Sequence, residues 1–422
     1  MIILFAAAAG FGVVLLNRLG DLALQMFFHL AATPWWLTLL WMPAITLTSL
    51  WLTRRFAPGA AGSGIPQVRS AMNHTLSETE QSAFVSFRMS IAKWLLTSAG
   101  LLGGLSLGRE GPSVQLAAGV MYSARRLLGP ITPVDRSGLL VAGGAAGIAA
   151  AFNAPLAGVM FAIEELSRTP EQRPSGLIIT AIVISGLLGV ALQGDASYFG
   201  VIHAREISVS LLLPALLATF IAGLAGGLFS RLVVISASHA GRSPVLNWRH
   251  RHPFLFAAVC SLAVAVIGIV THGATYGSGY QLTRNLLEGK VAGSGATTFF
   301  KFFATWLTTL CMIPGGLFAP ALSIGASLGY DVSQWLEIPL TAPLIALGMT
   351  GFLAATTQAP MTAFIVVMEM VDGHNMVFSL MASALAATAL SKLISPPLYP
   401  ALSRTQLRAV RNRRLAREGA ST

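Results

Sequence analysis

Apolar stretches of roughly 15–25 residues recur from one end of this chain to the other, close to the ~20 residues a helix needs to cross a bilayer. Charged residues make up only 10% of the chain and hydrophobic ones 54%, against about 25% charged in a soluble domain. The fold class that follows is an all-α polytopic membrane protein. The formal charge of +11 has its explanation in the loops, because Lys and Arg collect on the cytoplasmic side of membrane proteins, and it does not call for a nucleic-acid partner. Arg54-Arg55, Arg168 with Arg173, Arg242 with Arg249 and Arg251, and the basic tail 403–422 are placed in the cytoplasm on that rule. The side of Arg125, Arg126 and Arg136 is left open. Cys260 and Cys311 lie inside apolar runs and form no disulfide or metal pattern.

Within this apolar setting stands Gly108-Arg109-Glu110-Gly111-Pro112. A carboxylate at membrane depth costs about 2.5–3.5 kcal/mol and marks function by default. The glycines allow close backbone approach, and Pro112 suits a first helical turn. Glu110 is thus expected at a helix N-terminus, a place that holds anions. Gly62-Ser63-Gly64-Ile65-Pro66 and Gly315-Gly316-Leu317-Phe318-Ala319-Pro320 are of the same kind. Read alone, Ser63 is a helix cap, Tyr399 an interfacial anchor and Phe318 ordinary packing. Lys93, inside the apolar run 84–107, either has a partner or snorkels.

Several apolar segments, 321–330 and 360–371 among them, are too short for straight spans. An internal repeat accompanies them. Aligned on Pro155 and Pro360, residues 149–165 and 354–370 share an Ala pair, the Ala before the proline, and the glutamates Glu164 and Glu369. Pro112 and Pro320 close matching glycine-rich motifs upstream. Weak symmetry with Gly/Pro-broken segments marks a repeat-built transporter whose site lies between its halves. Half 1 is expected over about 1–195 and half 2 over about 207–400, within a single transmembrane domain 1–422. Glu164 and Glu369 read as a shared structural pair, each bonding a nearby helix end. Glu165 faces Met370 in the alignment and is the functional candidate, with a solvated helix terminus near Arg168 as the other reading. The stretch 272–298 is polar and expected outside the lipid. The run 138–166 is expected as one Gly/Ala-rich packing segment.

Together these motifs resemble the CLC family of chloride channels and chloride/proton antiporters, whose three anion-site loops match Gly62–Pro66, Gly108–Pro112 and Gly315–Pro320 in order. Pro397-Leu398-Tyr399-Pro400 matches the segment that supplies the family's site tyrosine. The resemblance implies two inverted-topology repeats with broken helices meeting at a midplane anion site, and a homodimer with one anion pathway per subunit. It implies chloride coordination by Ser63 and Tyr399 and by the backbone N–H groups of Leu317 and Phe318. Gly62, Gly64, Pro66, Lys93, Gly108, Arg109, Gly111, Pro112, Gly315 and Gly316 support these ligands. It makes Glu110 the gate and Glu165 the inner proton acid, hence an exchanger rather than a passive voltage- or pH-gated channel.

Chloride is the expected substrate, with bromide and nitrate tolerated. No cofactor and no metal are expected, and no catalytic residue: the histidines lack metal spacing and no Gly-x-Ser-x-Gly elbow occurs. The location implied is a bacterial inner membrane with a cytoplasmic C-terminus. Two departures from the family pattern stand out. The first loop runs on as Gln67-Val68-Arg69, where an acid is common. The chain also has no helix before its first span, and its end soon after Tyr399 implies the bacterial-type form without cytoplasmic regulatory domains.

Overall fold

In a computed structural model the chain is described over residues 2–32, 34–127, 135–167, 176–194, 198–200, 211–238, 243–290 and 295–418. Arg168, Arg173, Arg242 and the half boundaries near 195 and 207 lie outside the described residues. The first half contains α1 (Ile2–Ala32), α2 (Thr38–Phe56), α3 (Ile65–Ala71), α4 (Glu78–Phe84), α5 (Phe87–Leu102), α6 (Glu110–Ser123), α7 (Arg136–Phe152), α8 (Pro155–Phe161) and α9 (Gly176–Gln193). The second contains α10 (Leu212–Ala237), α11 (Pro244–Arg251), α12 (Pro253–Val270), α13 (Tyr280–Leu287), α14 (Gly295–Leu310), α15 (Phe318–Trp335), α16 (Thr341–Thr357), α17 (Pro360–Met370) and α18 (Val377–Lys392). The tail forms α19 (Leu398–Glu418). Among the described residues four helices are long and apolar enough to span a bilayer: Ile2–Ala32, Trp35–Phe56, Leu212–Ala237 and Pro253–Val270. Apolar side chains such as Leu187, Leu213 and Phe378 lie exposed on outer faces, as lipid contact permits.

α6 and α15 form the centre. Glu110 to Tyr122 of α6 are all buried, and α15 is nearly so from Phe318 to Ser333. α6 packs on α7 and α15 on α16, the same pairing in both halves. Glycine allows the close approach this takes: a Cβ on Gly147 would meet the Ser113 carbonyl, and one on Gly325 the Gly348 carbonyl.

The run 138–166 is not one segment. Asn153 takes a left-handed conformation (φ 54°) and ends α7, and Pro155 opens α8. Gln358 does the same (φ 58°) between α16 and Pro360. A left-handed residue at a helix C-terminus satisfies its last carbonyls, and proline then starts the next helix without needing its N–H. After α8 the chain continues as a π-helical stretch, Ala162–Ser167.

The repeat glutamates cross between the halves. Glu164 accepts from the amides of Met361 (3.1 Å) and Thr362 (2.7 Å) at the start of α17. Glu369 accepts from Leu156 (3.1 Å) and Ala157 (2.7 Å) at the start of α8. A carboxylate on the open N–H groups of a helix start is a charge-assisted cap, the role the alignment assigned to this pair.

The basic connection of open side also finds its place. Arg136 and Arg125 pair with Glu78, beside the Glu80–Arg414 pair at 2.6 Å, so all three segments share the end that carries the tail. The Ser77 amide and then the Arg414 guanidinium hold the Glu80 carboxyl below its usual value. A carboxylate lowered on folding stabilises the fold above its unfolded pKa, and that contribution is lost as pH falls through the folded one. Acidification should therefore free α19 from α4 before the core is affected, and Arg414→Ala should remove this acid sensitivity. Hydrogen exchange in residues 404–418 between neutral and acid pH measures both.

Candidate functional site

Three glycine-rich loops converge where the halves meet. Gly108 and Gly316 exchange backbone hydrogen bonds at 2.8 and 2.7 Å, pairing the second loop with the third. Gly62 donates to Ile313 O and accepts from Gly315 N, both at 3.1 Å, joining the first loop to the third. Each α-helix that follows a loop starts here: α3 after Gly64, α6 at Glu110 and α15 at Phe318.

Glu110 is 2% exposed, and its Oε2 accepts from the Ala319 amide at 3.3 Å. The carboxylate of one half thus rests on the first turn of the central helix of the other. Two glycines make room for it. A Cβ at Gly108 would run into Glu110 Oε2, and one at Gly111 into Ser63 Oγ. The donor from α15 to Glu110 is the Ala319 amide, next to the Leu317 and Phe318 amides expected as chloride ligands, and the first four N–H groups of a helix are all open at its start.

Ser63 is 6% and Tyr399 0% exposed, and among the described residues neither hydroxyl has a hydrogen-bond partner. They lie side by side, with Tyr399 also facing the carboxylates of Glu110 and Glu165. The Tyr399 ring stacks on Phe318 (centroids 6.1 Å apart), and Phe152 and Phe161 close around Phe318. Two buried hydroxyls with no protein partner are costly unless something else accepts from them. An anion is an acceptor for both.

Lys93 is completely buried and donates to the carbonyls of Ala60 (2.7 Å) and Gly62. It is not snorkelling; it holds the first loop. Glu165 is 1% exposed, and its carboxylate lies 3.4 Å from the Arg69 guanidinium, which also donates to the Glu165 carbonyl. The departure Gln67-Val68-Arg69 therefore sets a cation against the candidate proton acid, a pairing the sequence reading missed. Gln67 closes its own loop by accepting from the Gly64 amide at 2.9 Å.

Two cavities flank the site. One of about 210 Å³ is lined by Ser63, Gln67, Arg249, Thr308, Leu402 and Gln406, on the tail side. A larger one of about 800 Å³ is lined by Asn17, Asp21, Arg109, Tyr198, Ser278 and Tyr280, among others. Arg109 is nearly buried and bonds Asp21 at 2.7 Å and the Asn17 carbonyl at 2.5 Å. Arg109 lines the larger cavity and Ser63 the smaller one, so the Arg109–Glu110 step of the chain leads from one cavity wall toward the site beside the other.

The sequence model of the family described as voltage gated chloride channel matches residues 44–392. The H(+)/Cl(-) exchange transporter ClcA of Klebsiella pneumoniae (strain 342) is 30% identical over 407 residues, covering 91% of this chain and 81% of the relative. The protein of the same description from Citrobacter koseri is 31% identical, covering 86% and 78%. Among solved structures, a slow cyanobacterial Cl-/H+ antiporter aligns with a TM-score of 0.78 and 24% identity over 96% of this chain and 98% of that one. A CLC-type fluoride/proton antiporter aligns with a TM-score of 0.76 and 20% identity, covering 95% and 96%. The chain belongs to the voltage gated chloride channel family, and its fold is that of the CLC transporters.

Proposed function

We propose that this protein exchanges chloride for protons across the membrane, with Glu110 as the gate. The observation that carries the reading is the buried carboxylate of Glu110 on the Ala319 amide, beside two buried hydroxyls that have no partner among the described residues. Carboxylate and chloride compete for the same donors at helix N-termini. When Glu110 takes a proton it loses its hold on the amide and leaves the position to an anion. When chloride leaves, the carboxylate returns and the proton is released. Proton and anion binding are thereby linked, each altering the affinity for the other.

Ser63 and Tyr399 donate their O–H groups to the chloride from the tail side, and the Ala319 amide, with those of Leu317 and Phe318, completes the position from α15. Lys93 acts at one remove by fixing the carbonyls that set the Ser63 loop. Glu165 passes protons between the tail-side solution and Glu110, with Tyr399 between the two acids. Chloride is the cargo; no cofactor enters this scheme. The relatives named as H(+)/Cl(-) exchangers support exchange over passive conduction, as does the acid at Glu165. The basic tail and loops favour a cytoplasmic tail side, and the bacterial relatives favour a bacterial cell membrane. The working unit is a homodimer with one pathway per subunit and each chain a single transmembrane domain of two halves.

Purified protein in liposomes with a chloride gradient and an internal pH reporter tests this. Chloride moving down its gradient should drive protons uphill. Downhill chloride flux with no proton movement returns the protein to the channel reading. In the same liposomes, Glu165→Gln should reduce proton movement to background while chloride still crosses.

A further inference from the structure

The two halves share more than the proline-centred repeat. Gly277-Ser278-Gly279 repeats Gly62-Ser63-Gly64, and Lys301 precedes Gly316 by as many residues as Lys93 precedes Gly108. The contacts repeat as well. Lys301 is fully buried and donates to the carbonyls of Thr275 (3.0 Å) and Gly277 (2.8 Å), the counterparts of Ala60 and Gly62. Gly277 N donates to Gly104 O of the first half, as Gly62 N donates to Ile313 O of the second. The polar stretch expected outside the lipid is therefore partly an interior loop, with Ser278 and Thr283 both buried.

Tyr198 completes the correspondence. It follows α9, the counterpart of α18, as Tyr399 follows α18. Each packs on an aromatic ring that opens a helix, though not an equivalent helix: Tyr399 stacks on Phe318 of α15, and Tyr198 packs edge-on against Tyr280 of α13 (5.1 Å). Inverted repeats carry such a pair to opposite sides of the site. Ser63 lines the tail-side cavity, while Ser278 and Tyr198 line the other.

The groups on that wall favour an anion. Ser278 is 2% exposed, and its only hydrogen bond among the described residues is as acceptor from the Tyr280 amide at 3.4 Å, so its proton is unspent. Tyr198 and Arg109 line this same cavity, and a guanidinium donates and does not accept. Asp21 shares Arg109, but its side chain is 58% exposed against 8% for Arg109, so solvent screens the acid more than the base.

We propose that this far cavity carries a second halide position, held by the hydroxyls of Ser278 and Tyr198 under the Arg109 guanidinium, from which anions reach the Glu110 position. It rests on chloride being the cargo, and it gives the far side a docking step matching the one at Ser63 and Tyr399. Tyr198 and Ser278 then set how the transporter responds to chloride on that face alone.

Two measurements test it. Crystals grown in bromide should give anomalous density between Ser278 and Tyr198, absent in the Ser278→Ala/Tyr198→Phe double variant. In reconstituted protein with chloride varied on one face at a time, the double variant should raise half-saturation on the far side by about a hundredfold. That is the loss expected when hydrogen bonds to a charged group are removed. Half-saturation on the tail side should stay in place, whereas a merely structural role would move both. Wild-type crystals without that density, or a far-side half-saturation unmoved in the double variant, overturn the proposal. Should the wild type move no chloride at all, the exchange reading fails, and the bromide density still decides whether the position exists.

Discussion

Replacing Glu110 with glutamine should stop proton exchange and leave a protein that still passes chloride. Glutamine keeps the shape of the side chain and can accept from the Ala319 amide, but it carries neither charge nor a titrating proton. A neutral acceptor on an amide is roughly half as strong as an ionised one, so the side chain competes less with chloride. Proton movement should fall to the background of empty liposomes, with chloride flux within about tenfold of the parent, or about 1.4 kcal/mol in barrier. A Glu110→Gln protein that still pumps protons at the parent rate removes the gate assignment altogether.

Lys93→Met should give the largest loss of integrity at the site. The substitution leaves the carbonyls of Ala60 and Gly62 without their donor, at about 1–3 kcal/mol each. It also loosens the loop that presents Ser63. The expected result is a lower unfolding temperature together with a weaker half-saturation for chloride, read by thermal melts with and without chloride and by flux titration. Lys301→Met should lower the melt in the same way, because it holds the equivalent pair of carbonyls. If neither lysine variant melts earlier than the parent, the lysines are not what anchors the loops.

The part of this site legible in the sequence was the part written as local grammar. Glycine, proline and a single acid in an apolar run placed Glu110 at a helix start, because few other arrangements tolerate that charge in lipid. The proline-aligned repeat correctly set Glu164 and Glu369 apart from Glu165, since a structural pair must occur in both halves. The break in 138–166 was harder. Asn153 makes it with a left-handed backbone where glycine is usual, and Pro155, read as the centre of the repeat, opens the next helix. The second Gly-Ser-Gly was in plain view, yet its polar surroundings read as a solvent loop, and only burial of Ser278 and Lys301 reverses that. The pairings of Arg69 with Glu165 and of Tyr198 with Arg109 depend on tertiary placement, and no local spacing encodes them.

The crossed caps of Glu164 and Glu369 constrain how the chain can be made. When the first half has been synthesised, the amides that open α8 still lack the carboxylate that will accept them, which arrives 212 residues after Ala157. Gly108 likewise waits for Gly316. The first half cannot cap the start of α8 by itself, nor the second half the start of α17, so these donors stay open until both halves lie side by side. The site therefore needs both halves to form, and a chain ending between them would leave the start of α8 and the Gly108 loop without their partners.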